Sequence, residues 1–291
     1  MLRLVIPKGS LERATLQLFE DADLPVQRSS EVDYKATIAD PRISEVRILR
    51  PQEIGRFVAD GLFDLGITGR DWVHETNSEV VELCELHYSK ATARPIRMVL
   101  AVAGDAPYNC AADLPTGVRV QTEYPNLTKR FLDEQGVDAE VTLSYGATEA
   151  KIPEIADAVV EITETGRALR AAGLKVIDEI LTSFTLLVAN PTAYADPDKR
   201  KAMEQLMVLL AGALDARGKV MVKLNVDEPN LQAVIDLLPA LKAPTVSKLY
   251  GQEAYAVETV VAKHQINILI PALVDAGATG ILELPISKIV A

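Results

Sequence analysis

Residues 61–73 read GLFDLGITGRDWV, and residues 155–169 read IADAVVEITETGRAL. Each stretch carries an aspartate (Asp64, Asp157), an apolar run, and then Thr-Gly (Thr68-Gly69, Thr165-Gly166) ahead of a helix-forming segment. That is the pattern of a strand that ends in a turn and feeds a helix, and its recurrence in a later block predicts two similar α/β lobes facing each other over a cleft. Helix N-termini at such strand ends expose backbone N–H groups and the positive end of the dipole, so both edges are natural anion sites. Thr-Gly at a strand–helix junction is equally ordinary turn chemistry. Glu164 would repel a phosphate, and Arg167 on the first helical turn would offset it. From the pattern alone, phosphate cradle and plain turn both stand.

The rest of the chain extends the same alternation. LRLVIP at the N-terminus is strand-like, and residues 10–24 carry a helical stripe of Leu11, Ala14, Leu18 and Leu24. VRILRPQEIG, RMVLAVAG, VRVQTEY and AEVTLSYG continue the strands and helix starts. Pro125 opens and Gly136 closes a helix, and Asp196 and Gly218 bracket a long one. From Lys219 the order is strand (KVMVKLNV), helix (EPNLQAVIDLLPAL), strand (PTVSKLY), strand (AYAVETVVA), helix (QINILIPALVDAG) and strand (ILELPISKIV), a complete β-α-β-β-α-β unit and so a separate domain.

Composition excludes several classes. A net charge of −11 argues against a general nucleic-acid binder, which needs clustered Lys and Arg. No apolar window reaches membrane-spanning length and no signal peptide opens the chain, so a soluble, cytoplasmic protein is expected, without membrane or nucleic-acid partners. Two cysteines, Cys84 and Cys110, make no disulfide framework. Cys84 and His87 have Cys-x-x-His spacing but no second pair for zinc. GxxxxGK[ST], a strand-coupled GxGxxG and GxSxG are all missing from the sequence, which disfavours P-loop, Rossmann and serine-hydrolase chemistry. Lys8 and Arg50 each follow a strand and can reach the cleft or stay solvated. Lys129 and Arg130 pose the same choice on the helix after Tyr124.

IPKGSL, ILRPQEIG, DGLFDLGITGRDWV, TEYPNLTKRFL, YGATEAKIPEIADAVVEITETGRAL and AGATGILELPISKI, in that order, resemble the ATP phosphoribosyltransferase family in its long form, with a C-terminal regulatory domain. The resemblance implies a two-lobed, periplasmic-binding-protein-like core followed by a ferredoxin-like βαββαβ regulatory domain. It implies transfer of a phosphoribosyl group from phosphoribosyl pyrophosphate (PRPP) to N1 of ATP, the first step of histidine biosynthesis, with Mg2+, a homohexamer built from dimers, and feedback inhibition by histidine. Lobe I would span residues 1–93, completed by 183–217, lobe II 94–182, and the regulatory domain 218–291.

By the same resemblance, Thr163, Glu164, Thr165, Gly166, Arg167 and Ala168 would wrap the 5′-phosphate, the Glu164 side chain turning away while backbone N–H groups bind. Asp157 or Glu161 would reach the ribose hydroxyls. Lys8, Arg50 and Glu149 would line the catalytic cleft, and Lys8, Arg50, Thr122 and Tyr124 would hold ATP and pyrophosphate. Asn225, Thr245, Ala278 and Thr279 would bind histidine, although many relatives place an acid where Asn225 stands. In that family the loop also has hydroxyl residues where this chain has Glu164 and Ala168. A small-molecule binding protein of two lobes is the alternative from the residues themselves.

Overall fold

The computed structural model describes residues 1–88, 95–239 and 243–290. The chain runs β1 (Leu2–Pro7), α1 (Glu12–Asp21), β2 (Lys35–Ala36), β3 (Ile43–Leu49), α2 (Pro51–Ala59), β4 (Leu65–Gly69), α3 (Arg70–Glu75) and β5 (Val81–Leu86). It continues through β6 (Ile96–Ala103), β7 (Val118–Thr122), α4 (Pro125–Glu134), β8 (Ala139–Leu143), β9 (Ala158–Thr163), α5 (Arg167–Ala171), β10 (Leu174–Ser183), β11 (Thr185–Ala189), α6 (Pro191–Ala195) and α7 (Pro197–Ala216). The last elements are β12 (Lys219–Asp227), α8 (Leu231–Leu237), β13 (Thr245–Lys248), β14 (Ala254–Ala262), α9 (Ile266–Asp275) and β15 (Thr279–Pro285). Residues divide by their contacts into two units, Met1–Val208 and Leu209–Ala291.

The first unit holds two sheets, ordered β2-β3-β1-β4-β11-β5 and β10-β6-β9-β7-β8. Strands β1, β3 and β4 are parallel, and β11 returns antiparallel between β4 and β5. Two adjacent inner strands of this sheet are buried on both faces: every residue of β4 and β11 is out of solvent, so LGITG and TLLVA do not alternate between apolar and exposed polar residues. Gly66 permits that packing, because a Cβ there would come within 2.7 Å of Val58 on α2. In the second sheet β7 runs parallel to β8 and β9, while β6 and β10 are antiparallel additions. Its core gathers Met98, Leu100, Val120, Leu132 and Val160. Phe184 alone separates β10 in one sheet from β11 in the other.

This is the two-lobed, periplasmic-binding-protein-like architecture expected, with the expected boundary near residues 93 and 94 lying outside the described residues.

The second unit has the strand order β13-β14-β12-β15, all antiparallel, the ferredoxin-like arrangement. Val220, Val222, Leu224 and Val226 alternate onto the face covered by α8 and α9, where they meet Val234, Leu269 and Leu273. By contacts this unit begins at Leu209, inside α7. The reason is the C-terminal tail: the Ile289 N–H donates to the Gly212 carbonyl at 2.9 Å. Residues 286–290, expected to continue the last strand, are irregular, since the strand stops at Pro285, which has no N–H to extend the ladder.

Candidate functional site

Parallel pairing brings the ends of β1 and β3 to one edge of the first sheet, so Lys8 and Arg50 stand side by side. The Lys8 N–H donates to the Leu49 carbonyl at 2.6 Å, and a Cβ on Gly9 would lie 3.9 Å from Arg50 Nη1. Gly9 has φ +91°, and its N–H donates to Glu12 Oε2 at 3.2 Å. Glu12 also accepts from Arg28 at 2.8 Å. Burial acts to raise the Glu12 carboxyl, but the Arg28 and Gly9 bonds outweigh it and hold it below the ordinary value. The Lys8 ammonium sits 3.9 Å from the centroid of the Tyr34 ring. Arg50 is exposed. These two cations stand together at that edge of the first lobe.

The helix start after the Thr-Gly turn of this lobe is already occupied. The N-terminus of α3 is filled by its own Asp71 carboxylate, which the Trp72 N–H helps to hold. Asp71 Oδ1 accepts from the Ser183 hydroxyl at 2.8 Å, Oδ2 from the Tyr124 hydroxyl at 2.8 Å, and the Asp71 N–H donates to Ser183 Oγ at 3.0 Å. Burial pushes the Asp71 carboxyl up despite these bonds, and it pushes the Tyr124 phenol well up too, reinforced by the facing Asp71. The glycine of this turn serves packing: a Cβ on Gly69 would fall on the Asp71 carboxylate.

Opposite it, residues 163–166 of the second lobe form the turn ahead of α5. Gly166 adopts φ +69°, its N–H donates to Thr163 Oγ1 at 2.7 Å, and the Thr165 carbonyl accepts from Arg170 at 2.9 Å. The first N–H groups of α5, on Arg167 and Ala168, have no intrahelical acceptor. Glu161 is half-buried and its carboxyl is raised, first by burial and then by the negative charges of Glu123 and Glu149.

Between the loop and α3 lies a cavity of about 330 Å³ lined by Trp72, Tyr88, Tyr124, Phe184, Thr163 and Glu164, among others. The Trp72 and Tyr124 rings are 4.4 Å apart at their centroids, and His87 meets Phe184 edge-on at 5.5 Å. Such a slot suits a flat aromatic ligand. Glu164 is among the residues that line the cavity.

Three expected ligand residues are engaged elsewhere. Asp157 precedes β9 while Thr163 ends it, which puts them about 20 Å apart along the strand, too far to share one phosphoribosyl group. Its carboxylate is instead gripped by Arg119 at 3.1 and 2.7 Å. Glu161, near the other end of β9, is the acid within reach of the loop. Thr122 is fully buried and its hydroxyl accepts the Tyr124 N–H at 3.0 Å, so it shapes the turn and does not face ligand. The Tyr124 ring lines the cavity, but its hydroxyl is committed to Asp71. Lys129 pairs with Asp133 at 3.7 Å and Arg130 donates to the His74 carbonyl at 2.6 Å, both on exposed surface.

Sequence reading passed over Asp71, Trp72, Ser183 and Phe184 as site residues. Asp71 and Trp72 sat inside the quoted GRDWV, where the chain's single tryptophan was the available clue. Ser183 and Phe184 gave none, because their place follows from the crossing between sheets.

In the second unit Asn225 is directly opposite Thr279, whose hydroxyl donates to the Asn225 carbonyl at 3.4 Å. Ala278 is buried in the core of the unit. Thr245 is opposite Glu258 on the edge strand, about 10 Å across the sheet from Asn225 and two residues along it. The four expected effector residues therefore do not converge within one copy of the unit. Among the described residues, no His, Cys, Asp or Glu side chains group in threes to hold a metal ion, and no helix is long and apolar enough to cross a membrane.

Comparison with known proteins agrees with this architecture. The family model described as ATP phosphoribosyltransferase matches residues 50–212, and the model of that family's C-terminal domain matches residues 216–288. An ATP phosphoribosyltransferase from Desulforudis audaxviator is 46% identical over 289 residues, covering 99% of both chains. One from Solibacter usitatus is 46% identical over 290 residues, covering 100% of this chain and 99% of that one. Among solved structures, a chain of the ATP phosphoribosyl transferase (HisG:HisZ) complex from Thermotoga maritima superposes with a TM-score of 0.62 at 27% identity, covering 72% of this chain and 96% of that one.

Proposed function

The chain belongs to the ATP phosphoribosyltransferase family, and on that premise we propose that it transfers the phosphoribosyl group of PRPP to N1 of ATP, releasing pyrophosphate, as the first step of histidine biosynthesis. The observation that carries the reading is the joining of an aromatic slot to the loop at residues 163–166 in one cleft. The slot takes the adenine ring between Trp72 and Tyr124 on one side and Phe184 on another. The 5′-phosphate takes the N–H groups of Arg167 and Ala168, with the left-handed Gly166 turning the backbone towards it. Lys8 and Arg50, on the facing edge, hold the pyrophosphate.

The adenine N1 lone pair forms the new bond to C1′ while the C1′–oxygen bond breaks and its electrons leave with pyrophosphate. No nucleophilic side chain is required, in keeping with the lack of a serine or cysteine dyad motif in the sequence. The protein's part is to orient two substrates and to stabilise charge where it develops. Positive charge builds at the ribose as the bond breaks, and Glu161 is the carboxylate placed at that end of β9 to face it. Lys8 and Arg50 take up the negative charge on the leaving group.

Magnesium fits this donor set as an ion carried chiefly by substrate phosphates and water, because the described side chains offer it no three-ligand group. Bound there, it neutralises charge on the pyrophosphate. We further propose cytoplasmic action, a homohexamer assembled from dimers, and inhibition by histidine through the βαββαβ unit. Because Asn225 and Thr245 are apart within one unit, histidine would bridge residues of two copies.

The deciding experiment mixes the protein with ATP, PRPP and magnesium and follows the N1-ribosylated adenine by absorbance. Product formation is expected. Binding of both substrates without product would refute the reaction. Turnover unchanged at saturating histidine would remove the effector.

A further inference from the structure

We propose that Asp71 is a positioning residue for the nucleotide: its carboxylate, buried where the two lobes meet, sets the Trp72–Tyr124 pair that walls the cleft cavity. This rests on the reading that the slot takes the adenine of ATP.

The carboxylate ties together three elements that are distant in sequence. It belongs to the first turn of α3, accepts the Tyr124 hydroxyl that precedes α4 in the other lobe, and accepts the Ser183 hydroxyl at the point where the chain crosses between sheets. Trp72 follows it directly and its ring stacks on Tyr124 at 4.4 Å, tilted by 34°. Both rings, Asp71 and Ser183 all line the same cavity. Shifting the carboxylate therefore moves the wall.

The chemistry demands an acid. The groups aimed at the Asp71 carboxylate are donors: the Tyr124 and Ser183 hydroxyls and the Trp72 N–H. A carboxylate accepts at both oxygens, whereas an asparagine would turn N–H donors on one of them and lose that bond. Gly69 is the matching requirement in the backbone, since any side chain there would displace the carboxylate.

A purely structural role is separable, because α3 carries an internal control. Glu75, one turn after Asp71, is also buried, and it accepts the N–H groups of Asn126 at 3.0 Å and Leu127 at 2.8 Å at the start of α4. It fastens the same two helices without lining the cavity. Weakening that joint at Glu75 costs stability; weakening it at Asp71 also changes the shape of the slot.

The test uses the full chain and variants Asp71→Asn, Tyr124→Phe, their double, and Glu75→Gln. Trp72 is the chain's single tryptophan, so its fluorescence reports on the wall without labelling. ATP is titrated against that emission, and KM and kcat are measured alongside. Asp71→Asn and Tyr124→Phe are each expected to weaken ATP binding roughly tenfold and to shift the Trp72 emission, with the double no weaker than the worse single, because one acts through the other. Glu75→Gln is expected to lower the melting temperature while leaving ATP binding within about twofold of wild type.

Wild-type affinity in Asp71→Asn, or single effects that multiply in the double, would overturn the proposal. If Asp71→Asn does not fold, Tyr124→Phe decides, since it removes only the hydroxyl on Asp71: unchanged affinity and emission would refute the role. ATP that leaves wild-type Trp72 emission untouched while product forms would sink the positioning and spare the reaction. ATP binding that responds to these variants without product would do the reverse.

Discussion

Arg119 and Asp157 repeat in the second lobe the bonds that join Arg3 and Asp64 in the first. The Arg119 N–H donates to Asp157 at 3.0 Å, its guanidinium at 3.1 and 2.7 Å, and the Asp157 N–H returns to the Arg119 carbonyl at 2.9 Å. For Arg3 and Asp64 the same contacts measure 2.8, 3.2, 3.1 and 2.9 Å. In both, an aspartate before one strand clamps an arginine on the adjacent parallel strand. The aspartates of the two echoing sequence stretches are thus register clamps at the edge of each sheet away from the cleft.

Asp157→Asn is therefore expected to cost only ~0.2–1 kcal/mol, because both partners are near half-exposed. The KM for PRPP should stay within about twofold of wild type. A large rise in that KM with unchanged stability would restore Asp157 to the ribose site.

Asp64 is 2% exposed and accepts from Lys199 at 2.9 Å in addition to Arg3, so it matters more. Burial raises its carboxyl, but the Arg3 and Lys199 bonds prevail and bring it down from 3.8 to about 2. A depressed carboxylate contributes stability that is complete above its unfolded value and lost as pH falls through the folded one. The contribution is about 2 kcal/mol, disappearing between roughly pH 4 and pH 2. Urea unfolding of the wild type across that window should show the loss, and Asp64→Asn should flatten the profile. An equal acid loss in the variant would place the titration elsewhere.

Gly166→Ala forces a side chain onto a φ of +69° and against Arg170, whose Nη1 would be 2.8 Å from the new Cβ. The strain of ~1–2 kcal/mol is local to the loop. The KM for PRPP is expected to rise roughly tenfold while that for ATP moves little. If steady-state kinetics give an unchanged PRPP value, the loop is a turn and not a cradle.

Thr128 offers a stabilising change. It is fully buried on α4, and among the described residues its hydroxyl has no hydrogen-bond partner. Thr128→Val keeps the branched shape and removes the unpaired oxygen, so a gain of about 1 kcal/mol is expected in urea unfolding. A loss of stability would mean that the hydroxyl is satisfied after all.

Periodicity and turn chemistry were enough to read the α/β alternation, the helix bounded by Pro125 and Gly136, and the βαββαβ unit, because each depends on neighbours within a few residues. The resemblance of six ordered motifs added the family and pointed to the loop at residues 163–166, to Lys8 and to Arg50. None of this needed coordinates.

Which donors and acceptors were already spent was decided only by the tertiary structure. Asp71 reaches 112 residues along the chain to Ser183 and 53 to Tyr124. Asp157 is claimed by an arginine 38 residues earlier. Two Thr-Gly turns that are nearly alike in sequence thus differ in what stands before them: one helix start holds its own carboxylate, while the other is braced by Thr163 and Arg170. Local sequence sets the direction of the chain at such a turn. What fills the space in front of it depends on side chains brought from elsewhere by sheet order and by the crossing at Phe184, and no short-range pattern encodes that.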